Sequence, residues 1–257
     1  VKLCVANWKM KLTTAAGLKL LKELEEFTSS LSKSELWIAA PATSLAALSV
    51  YARGQSQLLR IGAQNCHAEP EGAFTGEISV PLIREVGGAF TLIGHSECRH
   101  QFGESEALVQ SRFRGVRKQQ LPVILCVGET LEQYRSGSCL EVLRDQLKVL
   151  ATPLPGTSKL PPTSEATSLG GGLLIAYEPV WAIGTGLTPR LEEIQAVHRS
   201  IQGLVPRGIP LLYGGSVTPD NIREILSLSE VDGVLVGGAS TKAASLRAII
   251  EACEEAS

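Results

Sequence analysis

The side chains best placed to do chemistry in this sequence are a lysine, a histidine and a glutamate, each standing just beyond a short apolar run. In Ala6-Asn7-Trp8-Lys9 the chain leaves the run Leu3 to Ala6 and presents an amide and a cation. In Ile93-Gly94-His95-Ser96-Glu97 an imidazole, able to titrate or polarise near neutrality, follows another run, and Ser96-Glu97 can open a helical turn. In Tyr177-Glu178 a carboxylate ends a third run, ahead of the mostly apolar segment Pro179, Val180, Trp181, Ala182, Ile183, Gly184, Thr185, Gly186. Pro179 keeps Glu178 out of helical geometry, and Gly184 and Gly186 give backbone freedom at the far end, the make-up of an apolar lid between hinges. Two glycine turns, Tyr213-Gly214-Gly215-Ser216 and Val236-Gly237-Gly238-Ala239-Ser240, complete the set. Unhindered N–H groups there, with the partial positive charge of a helix N-terminus, suit an anion such as a phosphate.

Each feature also has an ordinary explanation. A lysine at a strand end is usually a solvated charge, a histidine a packed hydrogen-bonding residue, a glutamate before a turn half of an ion pair. Chemistry is favoured by shared position, because function in parallel α/β architectures gathers beyond the carboxyl ends of strands. His95-Ser96-Glu97 also holds the His-x-Glu start of a zinc-deaminase signature, but the Pro-Cys-x-x-Cys that must follow is missing, so no metal site is expected.

The elements that must position these residues are legible as eight apolar runs: Leu3 to Ala6, Leu36 to Ala40, Leu58 to Ala63, Ala89 to Ile93, Val123 to Val127, Leu173 to Tyr177, Ile209 to Tyr213 and Val231 to Val236. Most lack period-two alternation, as expected of parallel strands covered on both faces. Between them lie helical spacings: Leu20, Leu21, Leu24, Phe27; Leu140, Leu143, Leu147, Leu150; Leu191, Ile194, Val197, Ile201; and Leu246, Ile249, Ile250, Cys253. Thr188-Pro189 and Thr218-Pro219 each predict a hydroxyl N-cap followed by proline at the first helical position. Eight βα units of about 32 residues each match a single-domain (β/α)8 barrel over residues 1–257 better than an open doubly wound sheet. The Pro-, Ser-, Thr- and Gly-rich stretch Thr152 to Gly172 reads as an exposed, inserted loop within that domain, not a boundary.

Composition bounds the class. With 24 basic and 26 acidic side chains among 257 residues, 44% hydrophobic and 19% charged, the chain offers no polybasic surface for nucleic acid or membrane and is too apolar for disorder. At this length it can withdraw roughly 70–75% of its unfolded surface from water without a disulfide or metal. The six cysteines, Cys4, Cys66, Cys98, Cys126, Cys139 and Cys253, form no Cys-x-x-Cys pair and predict reduced thiols. The N-terminal apolar run is too short for a secretory signal, and no stretch nears the ~20 residues of a membrane span, so a cytoplasmic protein in solution is expected.

Taken together, Asn7-Trp8-Lys9-Met10, Gly94-His95-Ser96-Glu97, Cys126-Val127-Gly128-Glu129, Tyr177 to Gly186, Tyr213-Gly214-Gly215-Ser216-Val217 and Val236-Gly237-Gly238-Ala239-Ser240 resemble the triosephosphate isomerase family, in order and over essentially the whole chain. The resemblance implies interconversion of dihydroxyacetone phosphate and D-glyceraldehyde 3-phosphate through an enediolate, without metal or organic cofactor. It implies Glu178 as base, His95 as neutral electrophile, Lys9 as compensating cation, Asn7 as a positioning residue and Glu97 as an additional carboxylate. Gly184, Ser216, Gly237 and Gly238 would hold the phosphate, and residues 179–186 would close over it. The loop Gln64 to Glu77, with Phe74 and Thr75 at its tip, is similar to the family's dimer loop and implies a homodimer with Thr75 near the partner subunit's site. Ala6, Cys98 and Leu187 depart from the family's usual glycine, arginine and lysine, which puts an ion pair at Cys98 and a lid-end contact at Leu187 in doubt. The alternatives are a barrel lyase or synthase acting on another sugar phosphate, disfavoured by the joint presence of Lys9, His95 and Glu178, and a phosphate-binding barrel without activity.

Overall fold

A computed structural model describes residues 1–151, 172–185 and 187–257. The eight predicted runs form β1 (Lys2–Asn7), β2 (Ser34–Ala40), β3 (Leu59–Ala63), β4 (Thr91–Ile93), β5 (Val123–Val127), β6 (Leu173–Tyr177), β7 (Leu211–Tyr213) and β8 (Gly233–Val236). Each pairs in parallel with its sequence neighbours, and β8 returns to β1, closing the (β/α)8 barrel. The predicted loop at 152–172 falls, apart from Gly172, outside the described residues, as does Gly186.

Missing alternation in the strands has a direct cause. Leu3, Val5, Trp37, Ala39, Phe90, Leu92, Ile124, Cys126, Leu174, Ala176, Leu212 and Leu235 fill the barrel interior as one cluster. Their strand neighbours, among them Cys4, Ala6, Leu36, Ile38, Leu125, Ile175, Tyr213 and Val234, face outward into a second apolar layer beneath the helices. Both faces are therefore dry, and only the parity of position separates them.

The helical spacings supply that outer layer. Leu143 and Leu147 are buried on Cys139–Ala151, Ile194 and Ile201 on Leu191–Leu204, and Leu246, Ile249, Ile250 and Cys253 on Ala243–Glu255. Leu140, in the first turn of its helix, stays largely exposed. The spacing Leu20 to Phe27 falls on two helices, Thr14–Glu23 and Glu25–Ser29, meeting at Leu24.

Both proline-based helix starts need correction. The helix after the lid begins at Leu191 with Arg190 as N-cap, because Glu193 Oε2 accepts the Arg190 N–H at 2.8 Å and fixes the start there instead of at Thr188. Asn221, not Thr218, is the N-cap of Ile222–Leu226; its Oδ1 accepts the Thr218 N–H at 2.9 Å, organising the preceding turn.

Candidate active site

Inward-facing rows continue past the strand ends, and this builds the site. Two residues beyond Val5 comes Asn7; two beyond Ala176, Glu178; two beyond Leu212, Gly214; two beyond Leu235, Gly237. The Glu178 N–H donates to the Val127 carbonyl at 2.7 Å, extending the β5–β6 ladder, and a side chain on Gly128 would run into the Glu178 carbonyl. The parity that packs leucine in the barrel thus delivers the carboxylate to its mouth.

Lys9 reaches the same mouth through a strained bend. Its φ is +51°, a left-handed conformation that costs a non-glycine residue about 1–2 kcal/mol. Asn7 Oδ1 accepts the Lys9 N–H at 2.9 Å, and Gln64 Nε2 donates to the Lys9 carbonyl at 2.8 Å, so hydrogen bonds on both sides hold the bend. The ammonium lies 2.8 Å from Glu97 Oε1. Their side chains are 21% and 31% exposed, so the cavity is in contact with solvent.

His95 is the N-cap of the short helix Ser96–His100. Its Nδ1 accepts the Glu97 N–H at 3.2 Å and so carries no proton in this arrangement; the proton on Nε2 faces Glu178 Oε1 at 3.0 Å. Glu178 Oε2 accepts the Ser96 N–H at 2.9 Å. Burial works against a charged imidazole, but the facing carboxylate prevails and raises the His95 pKa. Burial likewise works against a charged Glu178, and His95, the Ser96 N–H and Lys9 outweigh it, holding the carboxyl below its usual range. The pair is poised to exchange or relay a proton, with each partner's charge state set by the other.

Asn7, Lys9, His95, Glu97, Glu178, Ile183, Gly184, Ser216, Gly237 and Gly238 all line one cavity of about 400 Å³. A slightly larger cavity, about 450 Å³, lies at the opposite end of the barrel around Val205, Arg207, Pro210 and Asp232 and contains no imidazole–carboxylate pair. In the first cavity glycine backbone lies beside the titratable groups: a Cβ on Gly237 would sit 3.1 Å from Lys9 Cε and one on Gly214 3.0 Å from Glu178 Cγ, and Gly238 opens a 3-10 turn, Gly238–Thr241. Among the described residues no cluster of His, Cys, Asp and Glu has the geometry of a metal site.

The lid segment is bonded to itself. Ala182 N–H donates to the Pro179 carbonyl at 2.8 Å, Ile183 N–H to the Val180 carbonyl at 3.2 Å, and Thr185 Oγ1 to the Trp181 carbonyl at 2.9 Å. Trp181 Nε1 donates to Glu129 Oε1 at 2.8 Å; Glu129 is fully buried and also accepts the Tyr177 hydroxyl at 3.1 Å. The Leu187 side chain is exposed, and a lid-end contact is made by its backbone, whose N–H donates to Thr185 Oγ1 at 3.2 Å.

Phe74 and Thr75 do not line the cavity of their own chain; both are exposed, with the Phe74 ring against His67 at 3.8 Å. Cys98 does not leave its surroundings without an ion pair. Arg112, 5% exposed, grips Glu77 with Nη1 and Nη2 at 2.7 and 2.6 Å and lies 3.3 Å from Glu104, which also accepts Asn65 Nδ2 at 2.7 Å. The sequence reading missed Lys11, a cation on the cavity wall whose Nζ is 4.0 Å from where a Cβ on Gly238 would sit. Among the described residues it has no ion-pair partner, and without it two carboxylates would face one ammonium. The only available signal was its spacing of two from Lys9.

A sequence model described as triosephosphate isomerase matches residues 2–253. The chain is 41% identical to the triosephosphate isomerase of Ruegeria pomeroyi over 265 residues, covering 99% of this chain and 98% of that protein. It is 39% identical to that of Bradyrhizobium sp. (strain ORS 278), covering 98% and 97%. The crystal structure of triosephosphate isomerase from Bartonella henselae superimposes with a TM-score of 0.81 at 32% identity, over 98% of each chain. Barrel, cavity and kinship agree, and the chain belongs to the triosephosphate isomerase family.

Proposed function

We propose that the chain interconverts dihydroxyacetone phosphate and D-glyceraldehyde 3-phosphate in the cavity at the barrel mouth, as a single-domain barrel in a cytoplasmic homodimer. The observation that carries this reading is the convergence of Glu178, His95 and Lys9, from three different strand ends, in one cavity with the backbone of Gly214, Gly237 and Gly238. Glu178 takes a proton from one substrate carbon and returns it to the neighbouring carbon, so that the two carbons exchange oxidation level with no external reductant. His95 donates its Nε2–H to the carbonyl oxygen as it gains charge. To act, Glu178 must release at least one of the bonds from His95 and Ser96, and as it turns away the main influence raising the His95 pKa is removed, leaving burial, the largest influence, with Lys9 to oppose Glu97 and keep the imidazole neutral.

A charge pair at about 4 Å is worth roughly 4 kcal/mol at an effective dielectric near 20, so Lys9 supplies an appreciable part of enediolate stabilisation. One well-placed donor to a developing oxyanion contributes about 2.7–4 kcal/mol, the share expected of His95. Backbone N–H groups of Gly184, Gly237 and Gly238, with Ser216, hold the phosphate; Asn7 fixes the Lys9 bend, and Glu97 holds the ammonium over the mouth. Closing residues 179–186 excludes water, which would otherwise favour loss of phosphate from the enediolate.

The homodimer reading is supported by large apolar side chains exposed near the mouth: Met10 at 98%, Phe102 at 75%, Leu82 at 51% and Phe74 at 43%. All follow β1, β3 or β4, and sedimentation of the purified chain as a monomer would remove that part of the proposal. The activity is tested by coupled assay with glyceraldehyde 3-phosphate in the presence of a chelator, for the native chain and Glu178→Gln. Turnover is expected for the first and a loss of about a thousandfold or more for the second, with little change in phosphate affinity. Near-normal turnover by Glu178→Gln would contradict the assigned base.

A further inference from the structure

At the strand starts, the end of the barrel away from the mouth, two arginines share a cavity that no carboxylate lines among the described residues. The cavity, about 230 Å³, lies between the end of the helix Ala42–Arg53, the start of β3 and the turn before β4, with Ser49, Arg53, Arg60 and Gly87 on its walls. The Arg53 guanidinium rests on Gly87, where a Cβ would run into its Nη2 and Nε; glycine, at φ +85°, leaves it that place. Arg60, its side chain 22% exposed, donates Nε to Glu35 Oε2 at 3.3 Å and lies over the Trp37 ring, Cζ 5.5 Å from the centroid. Packing thus holds both guanidinium groups in position beside the cavity.

We propose that this cavity is a second anion site, separate from the mouth, for a small phosphate-bearing ligand. Glu35 balances Arg60, whereas Arg53 has no ion-pair partner among the described residues, so the cavity keeps an uncompensated positive charge. Arg53 is not needed to cap its own helix, because the Tyr51 and Ala52 carbonyls already accept the N–H groups of Gly54 and Gln55 at 3.2 and 3.0 Å. Arg60 spends only Nε on Glu35, which leaves both Nη groups as donors. Ser49, on the same wall, is 1% exposed, and its Oγ has no hydrogen-bond partner among the described residues, a buried donor that an oxyanion would satisfy. Planar guanidinium forks match the edges of a tetrahedral phosphate, which separates this chemistry from that of a simple halide. The volume falls below the ~300 Å³ at which drug-sized ligands begin, so the occupant is free phosphate or a short phosphate ester.

The test follows the arginine Nε–H resonances of the isotope-labelled native chain by NMR while inorganic phosphate or, in a second arm, glycerol 3-phosphate is added. The Arg53 and Arg60 signals, identified by their loss in Arg53→Gln and Arg60→Lys, are expected to move together and saturate at one midpoint in the millimolar range. The arm with the lower midpoint tells free phosphate from ester. Chloride at equal ionic strength should leave both signals in place. In Arg53→Gln the Arg60 signal should need about tenfold more phosphate, the share of one charge-assisted pair. Competitive inhibition of turnover by phosphate, which reads the mouth, should be the same for Arg53→Gln and the native chain. Signals that do not saturate with either probe, equal movement with chloride, or an unchanged Arg60 midpoint in Arg53→Gln each overturn the site. If Arg60→Lys does not fold, the Arg53 signal decides by the same criteria, since Arg53 is exposed and its replacement spares the core.

Discussion

Lys11 shows how a functional candidate escapes a sequence and is found by proximity. Lys9, His95 and Glu178 could be singled out because each closely follows an apolar run; strand parity carries Glu178 to the mouth, while Lys9 arrives through its bend and His95 through the turn at Gly94, φ +72°. Lys11 follows no run of its own; its place beside Gly238 depends on the Lys9 bend and on β8 closing against β1. A phosphate dianion entering a site with two carboxylates gains from a second ammonium, even a partly screened one. Lys11→Met is accordingly expected to raise KM for glyceraldehyde 3-phosphate about fivefold, with kcat moved less, and to flatten the dependence of KM on ionic strength. Steady-state kinetics at low and high salt check this; a salt dependence identical to that of the native chain would exclude a charge role. His95 was visible as an imidazole near a helix start, but its tautomer was not, since that is decided by where the Glu97 N–H points.

At the scale of elements, strands were more legible than helix ends. Burial on both faces writes a continuous apolar signature that survives without knowledge of neighbours, and all eight runs became strands within a few residues. Helix starts are decided by competition among nearby caps: the Glu193 carboxylate holds the start at Arg190, against the local preference of Thr188-Pro189. The end of Glu106–Lys118 is a further case. Gln120 adopts φ +59° there, with its N–H on the Arg117 carbonyl at 3.0 Å and the Leu121 N–H on the Val116 carbonyl at 3.4 Å, a closing turn normally made by glycine. The side chain is exposed. Gln120→Gly should therefore stabilise the protein by about 1 kcal/mol, read as a higher urea midpoint at unchanged m. A lower midpoint would mean that the greater freedom of glycine in the unfolded chain outweighs the relieved strain.

Across the whole molecule, the barrel is fastened by contacts far apart in sequence. Glu254, near the end of the last helix, accepts N–H groups of Ser32, Lys33 and Ser34 and both serine hydroxyls at 2.6–2.9 Å, tying that helix to the start of β2. Partial burial opposes its charge, but these bonds, led by Ser34, hold its pKa at about 2 against an ordinary 4.5. Since the folded value is the lower one, the contribution is complete above the ordinary value and disappears as pH falls toward about 2. Glu254→Gln should cost about 1–2 kcal/mol near neutrality and progressively less in acid, measured as a narrowing gap in unfolding midpoint; a gap constant with pH would show that the charge is irrelevant. None of this was readable from the sequence, because an exposed-looking C-terminal glutamate has no local signature of five donors at the start of a distant strand.

The alternating rows inside the barrel also fix where the gene can change length. Between Leu174 and Glu178 the carboxylate's direction depends on an even count, so one added or lost codon within β6 would aim it at the helices and leave a tyrosine or a proline at the mouth. Residues gained ahead of Leu173 shift no position relative to another within β6 and leave the frame of that strand intact. Tolerance and intolerance of insertion therefore lie side by side, separated by the first inward leucine.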